Sequence, residues 1–270
     1  MKQKKTQKKP YYTNKATLAV YLVLRALVLF SLVRAAVRGQ FESVFLCSMT
    51  LVLLVLPSIL TRKLAIELPT TLEIIILLFI FAAEILGELN SFYIRVPNWD
   101  TMLHTLNGFL CAAVGFALVD MLNRSDRFSF KLSPAYLAIV AFCFSMTVGV
   151  LWELFEYFGD QFLALDMQKD TIVNTIRTVE LDPTRSNKVV ALKDIADVIV
   201  VHGDGTQTAL GLGGYLDVGL NDTMKDLIVN FIGAVVFSII GFFYVKEKGK
   251  GRFAARFIPR VFRNAEDGEQ

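Results

Sequence analysis

Residues 222–244 read DTMKDLIVNFIGAVVFSIIGFFY. From Leu227 onward the block is apolar apart from Asn230 and Ser238. It is long enough to cross the hydrocarbon of a bilayer, which takes about 20 helical residues. Asp222, Asp226 and Asn230 stand at its head at i, i+4 and i+8, a spacing that puts them on one helix face. The stretch therefore reads as a membrane span that opens on a polar stripe.

Working outward, five more apolar blocks of this kind lie at roughly 16–37, 41–60, 71–89, 101–121 and 134–158. The 270 residues are 54% hydrophobic and only 20% charged, with a mean hydropathy of +0.50. A soluble enzyme, a disordered chain and a nucleic-acid-binding module are excluded by that balance. Unbroken blocks, without ten-residue alternating strands, predict helices and not an outer-membrane barrel. The expected fold is an all-α membrane protein, a six-helix transmembrane bundle. Cys47, Cys111 and Cys143 lie inside apolar blocks and read as packing residues.

Basic residues orient the bundle. With the N-terminus cytoplasmic, the cytoplasmic pieces hold six lysines before the first span, then Arg62, Lys63, Arg124, Arg127 and Lys131. The tail adds Lys246, Lys248, Lys250, Arg252, Arg256, Arg260 and Arg263, while the short opposite loops hold only Arg38 and Arg95. Both termini are expected to be cytoplasmic, and the bilayer is the expected partner of the basic tails. The resulting division is a tail at 1–15, helices 1–5 within 16–158, an extracytoplasmic segment at 159–221, helix 6 at 222–244 and a tail at 245–270. Within 159–221, the β-prone runs Thr175–Leu181 and Lys188–Leu192 flank a turn-like stretch and predict a β-hairpin. A strand is expected in Ile195–Val201, and the glycines of 203–214 are expected to make turns.

Charges inside spans are costly and ask for a reason. Glu84 and Glu88 lie one turn apart in span three, Asp100 and His104 one turn apart in span four. Span five ends on Trp152, Glu153 and Glu156, and span six opens on Asp222, Asp226 and Asn230. In the expected topology all four clusters fall on the extracytoplasmic side. Asp222 and Asp100 also suit plain helix N-caps, and carboxylates at a span's end are often simply solvated. Arg25 is expected to point into the bundle and pair with Glu73 or Glu84, while Arg34 suits snorkelling or a lipid phosphate.

Facing carboxylates need a cation or shared protons. Asp100, His104, Glu153, Glu156, Asp222 and Asp226 make an oxygen-rich ligand pool for Mg²⁺, Mn²⁺ or Zn²⁺. The same groups, His104, Glu153, Glu156 and Asp226 foremost, suit acid/base catalysis. Asn230, Arg34 and Gln207 are the candidate substrate-binding residues.

Asp100-x-x-x-His104-x-x-x-Gly108, Trp152-Glu153-x-x-Glu156, Gly205-Thr206-Gln207 and Asp222-Thr223-x-x-Asp226 follow one another over roughly residues 75–245. In this order they resemble the YjdF-like family of bacterial inner-membrane proteins, which has no assigned reaction. Asp222 through Gly233 is more distantly similar to the closing helix of VanZ-like membrane proteins. The resemblance implies a multi-pass protein of the bacterial cell membrane and a cell-envelope setting. One departure is Ala209–Asn221, which separates the Gly-Thr-Gln element from the last helix and leaves open which of Asp204, Asp217 and Asp222 fills the family's aspartate positions.

Three functions follow. The first is an enzyme of the extracytoplasmic leaflet acting on a lipid-linked or phosphate-bearing envelope substrate. The others are a cation- or proton-coupled transporter and a structural or stress-response scaffold. No nucleic-acid partner is expected.

Overall fold

The computed structural model describes residues 14–63, 66–123, 132–249, 254–258 and 260–261. The lysines before Asn14, together with Arg124, Arg127, Lys131, Lys250, Arg252 and Arg263, lie outside the described residues. So do parts of the expected tails and of one connecting loop. The helices are α1 (Lys15–Val37), α2 (Phe41–Leu53), α3 (Leu56–Lys63), α4 (Thr70–Phe81), a π-helical segment (Ala82–Leu89), α5 (Phe92–Arg95), α6 (Trp99–Asn123), α7 (Pro134–Leu163) and α8 (Leu220–Lys246). Among the described residues, five stretches are long and apolar enough to cross a membrane: α1, Phe41–Ile59, Trp99–Asp120, α7 and α8.

Local chemistry sets these boundaries. Asn14 caps α1, its Oδ1 accepting from the Ala16 amide at 2.9 Å. At the other end Gly39, with φ +67, lets the Gly39 amide reach Ala36 O and the Gln40 amide reach Ala35 O, the paired bonds of a Schellman motif. The expected span at 41–60 is divided into α2 and α3 just ahead of Pro57, which has no N–H to continue the ladder. The expected span at 71–89 is α4 followed by the π-helical segment, so it does not form one regular helix. Ser133 caps α7 through its hydroxyl, which accepts from the Tyr136 amide, with Pro134 at the first helical position.

The chain divides into two compact units, Met1–Gly149 with Val229–Gln270, and Val150–Ile228. In the first, one core gathers Leu110, Phe116, Leu137, Ala141, Ala234 and Phe237, with Ile258 returning after α8. A second core joins Tyr21, Leu24 and Val28 of α1 to Cys47, Leu77 and Ile85. The closest packing is backbone to backbone. A Cβ on Gly108 would lie 2.1 Å from Asn230 O, and one on Gly233 would lie 2.0 Å from Thr105 O. These two glycines let α6 and α8 touch, as small residues do between membrane helices. β1 (Ile66–Glu67) pairs antiparallel with β8 (Arg260–Val261) in the same unit.

The second unit takes the C-terminal part of α7, the start of α8 and the segment between them. Six short strands form three antiparallel pairs: β2 (Ile172–Val173) with β7 (Tyr215–Leu216), β3 (Ile176–Thr178) with β4 (Val190–Leu192), and β5 (Ile199–Val201) with β6 (Gln207–Ala209). The expected hairpin is β3–β4, and the expected strand is β5. Asp182 organises the β3–β4 turn. Its carboxylate accepts from the amides of Thr184, Ser186 and Lys188 and from the hydroxyls of Thr184 and Ser186. The Thr184 hydroxyl, followed by the Lys188 amide, holds this carboxyl well below the usual aspartate range. At the β5–β6 tip, Gly205 takes φ +86 while Asp204 accepts from the Thr206 amide and hydroxyl.

Three carboxylates at helix ends hold the chain leaving α7. Asp160 accepts from the amides of Met167 and Gln168, Asp222 from that of Lys169, and Asp217 from those of Thr171 and Asn221. The cap at the start of α8 thus comes from Asp217, and Asp222 holds the Lys169 amide.

Two outcomes follow from this packing. Gly233→Leu is expected to destabilise the protein by about 3 kcal/mol, the upper end of overpacking costs, because the opposing atom is backbone and cannot turn aside. A thermal melt in detergent reads this, and an unchanged melting temperature refutes the backbone contact. The Asp182 carboxyl is depressed below its unfolded value of about 3.9, so its contribution is present above that pH and is lost as pH falls through the folded value. Amide exchange at Thr184, Ser186 and Lys188 should therefore stay slow from neutral pH down to about pH 4. Asp182→Ala should make it fast throughout.

Candidate functional site

Polar residues recur along one face of α6. Asp100, His104, Asn107 and Cys111 fall at i, i+4, i+7 and i+11. His104 is buried and its Nε2 lies 3.4 Å from Asp100 Oδ1, with Asp100 half-buried. One turn further in, Asn107 donates from Nδ2 to Asn230 Oδ1 at 3.4 Å, and Asn230 Nδ2 lies 3.6 Å from Met146 Sδ. Gly149 makes room for the Asn230 amide, since a Cβ there would come within 2.5 Å of Nδ2. The Ser145 hydroxyl donates to Gly108 O at 2.7 Å. Asn230 thus ties α6, α7 and α8 together by its side chain as well as its backbone.

In the second unit, Glu153 and Glu156 are 5% and 8% exposed, and Asp226 is 1% exposed. Trp152 donates from Nε1 to Glu156 Oε1 at 2.8 Å and keeps its ring surface partly exposed against Phe155. Asp226 precedes Asn230 by one turn of the continuous helix α8, so the stripe expected at 222, 226 and 230 is real and its deepest members are fully enclosed. Asp222 is half-buried and bonded to the Lys169 amide. Gln207 lies in β6 and is exposed, paired in register with Val201.

The placement of Arg25 differs from expectation, and Asn107 was missed. Arg25 does not enter the bundle: it is exposed, and its partner among the described residues is the Tyr21 hydroxyl, 2.5 Å from Nη1. The buried face of α1 is Thr17, Tyr21, Leu24, Val28 and Ala35, and Arg25 falls at its flank. Arg34 is exposed in the last turn of α1, where a cation suits the helix dipole. Asn107, absent from the expected site, continues the i, i+4, i+7 series from Asp100, and that spacing is the signal that would have found it. Glu84 is half-buried and Glu88 exposed on the π-helical segment, a geometry frequent at functional positions.

The residues suit cation chemistry. Asp100 and His104 offer a hard oxygen and one imidazole, donors of the kind that Mg²⁺, Mn²⁺ and Zn²⁺ accept.

The model of a predicted membrane protein family, DUF2238, matches residues 16–185. That range takes in Asp100, His104, Glu153 and Glu156, and stops short of α8. A Thermotoga maritima protein described as uncharacterized is 27% identical over 97 residues, which cover 36% of this chain and 48% of that protein. No solved structure matches. The match covers well over half of the chain, and with the apolar helices and the ordered motifs it places the protein in the DUF2238 family of predicted membrane proteins.

Proposed function

We propose that this membrane protein is a six-span protein of the bacterial cell membrane with both termini cytoplasmic, and that it is a cation-dependent enzyme acting at the extracytoplasmic leaflet. Its substrate is a lipid-linked or phosphate-bearing component of the envelope. The observation that carries this reading is the burial of His104, Glu153, Glu156 and Asp226, four ionisable groups within apolar helices. Each costs about 2.5–3.5 kcal/mol near a bilayer centre and less toward its edge, a burden that packing alone does not explain.

Asp100 and His104, one turn apart on α6, are the proposed ligands of a divalent cation. Once bound, the ion would neutralise negative charge on a phosphate oxygen of the substrate. Glu153 and Glu156 are the proposed acid and base, with the Trp152 indole fixing the orientation of Glu156 through its hydrogen bond. Asn230 acts as a positioning residue, since its amide is engaged by Asn107 and Met146.

A second reading, cation- or proton-coupled transport, draws support from Asp120, buried near the far end of α6, and from half-buried Glu73 at the start of α4. Transport needs polar groups at both ends of the spans, and these supply them.

Elemental analysis of the detergent-purified protein tests the cation site. Near-stoichiometric divalent metal is expected in the wild type, with affinity weakened by at least about 100-fold in His104→Ala and Asp100→Asn. A folded wild type that takes up no metal after incubation with Mg²⁺, Mn²⁺ and Zn²⁺ would falsify the cation site.

A further inference from the structure

Arg25 is out of place by the usual rule for membrane helices, in which charged side chains face the bundle interior or a water-filled cavity. It lies near the middle of the 23-residue helix α1 and is exposed. It does not stand alone, however. Asn14 donates from Nδ2 to Thr70 Oγ1 at 2.9 Å, which sets the starts of α1 and α4 level. One turn in come the buried Thr17 of α1 and the half-buried Glu73 of α4. The next turn brings buried Tyr21, whose hydroxyl accepts from Arg25 Nη1. Asn14, Thr17, Tyr21 and Arg25 fall at i, i+3, i+7 and i+11, so they line one face of α1 along its flank with α4.

The order of charge along this groove is informative. The bond to Tyr21 draws the guanidinium back toward the N-terminal end of α1, to a depth of about 9 Å from Lys15 at the rise of an α-helix. Glu73 lies only about 5 Å in from Thr70 on the same scale. The positive group is therefore the deeper one and the negative group the shallower. A zwitterionic phospholipid has the complementary order, because its phosphate is next to the acyl chains and its ammonium is further out.

We infer that the α1–α4 groove holds the headgroup of a phospholipid bearing a primary ammonium, from the leaflet at the N-terminal end of α1. The phosphate sits on Arg25 with the Tyr21 hydroxyl beside it, and the ammonium sits on Glu73. Arginine suits the role, since its planar fork binds phosphate bidentately. A primary ammonium donates hydrogen bonds to a carboxylate and a quaternary one cannot. The acyl chains continue toward the midplane over Leu22 and Leu29, both exposed neighbours of Arg25 on α1. The headgroup is drawn inward at this point, and local thinning of the bilayer accommodates that depth. The site shares no residue with the proposed cation site and stands or falls independently of it.

Native mass spectrometry of the full chain, released from detergent after addition of phosphatidylethanolamine, phosphatidylcholine or phosphatidylglycerol, tests the inference. The wild type is expected to retain phosphatidylethanolamine over either of the others by about fivefold, the size of one partly exposed ion pair. Arg25→Gln should lose bound lipid of all three kinds, and Glu73→Gln should keep lipid while losing the preference for phosphatidylethanolamine over phosphatidylglycerol. Arg25→Lys, which keeps the charge without the fork, should bind at an intermediate level and shows that loss in Arg25→Gln is not misfolding. Equal retention of the three lipids by the wild type overturns the proposal. So does an Arg25→Gln protein that keeps the preference, or one that instead loses a second copy or another protein chain from the complex.

Discussion

The contact between α6 and α8 at Gly108 and Gly233 is the constraint on which the first unit depends. A helix pair in a membrane gains nothing from burying apolar surface, because lipid is as apolar as leucine. Close approach has to supply the attraction, and it is available only where no Cβ intervenes. Here the opposing atoms are Asn230 O and Thr105 O, so the approach is limited by the backbone itself. Register follows directly. Once Gly108 lies against Asn230, the rotation of each helix is fixed, and with it the face that carries His104 one turn before Gly108. Phe237 then packs edge-on against Phe109 and Phe116 and fills the space below.

Asn230 links that constraint to the polar chemistry. Its amide, 1% exposed, bonds Asn107 and meets Met146, and Gly149 is small enough to admit it. A buried amide among apolar helices is tolerable only with partners in place. Its cost when misaligned therefore adds specificity to the attraction that the glycines provide. The carboxylates of the second unit divide by the same logic. Asp160, Asp217 and Asp222 accept backbone amides from the chain that leaves α7, and their role is to hold a segment with little core of its own. Glu153, Glu156 and Asp226 are buried within helices.

Much of this was legible in the sequence because a bilayer allows few solutions. Twenty apolar residues must become a helix, so α1, α6, α7 and α8 came within a few residues of their expected ends. The β3–β4 hairpin was legible because β-branched runs flanked a turn with Asp182 at its start. What escaped depends on third parties. Pro57 is visible, yet where it breaks α2 from α3 depends on the ladder before it. The change from α4 to a π-helical segment at Ala82 carries no residue signature. Asp222 and Asp226 look alike in sequence, and only the path of Lys169 past the end of α8 assigns one of them to the loop.

Arg25 illustrates why pairing is the hardest property to read. Sequence supplies the charge and the depth, and an acid in the bundle is the obvious partner for both. The face, however, is fixed by Thr17, Tyr21, Leu24 and Val28, which pack α1 onto its neighbours. These outweigh the single charge, because several buried side chains together are worth more than one ion pair. Arg25 is carried to the flank of α1 as a consequence, and its hydrogen bond to Tyr21 is what the helix itself can offer. A phosphate at that flank would complete the pairing from the lipid side, and the neighbouring Glu73 then decides which lipid.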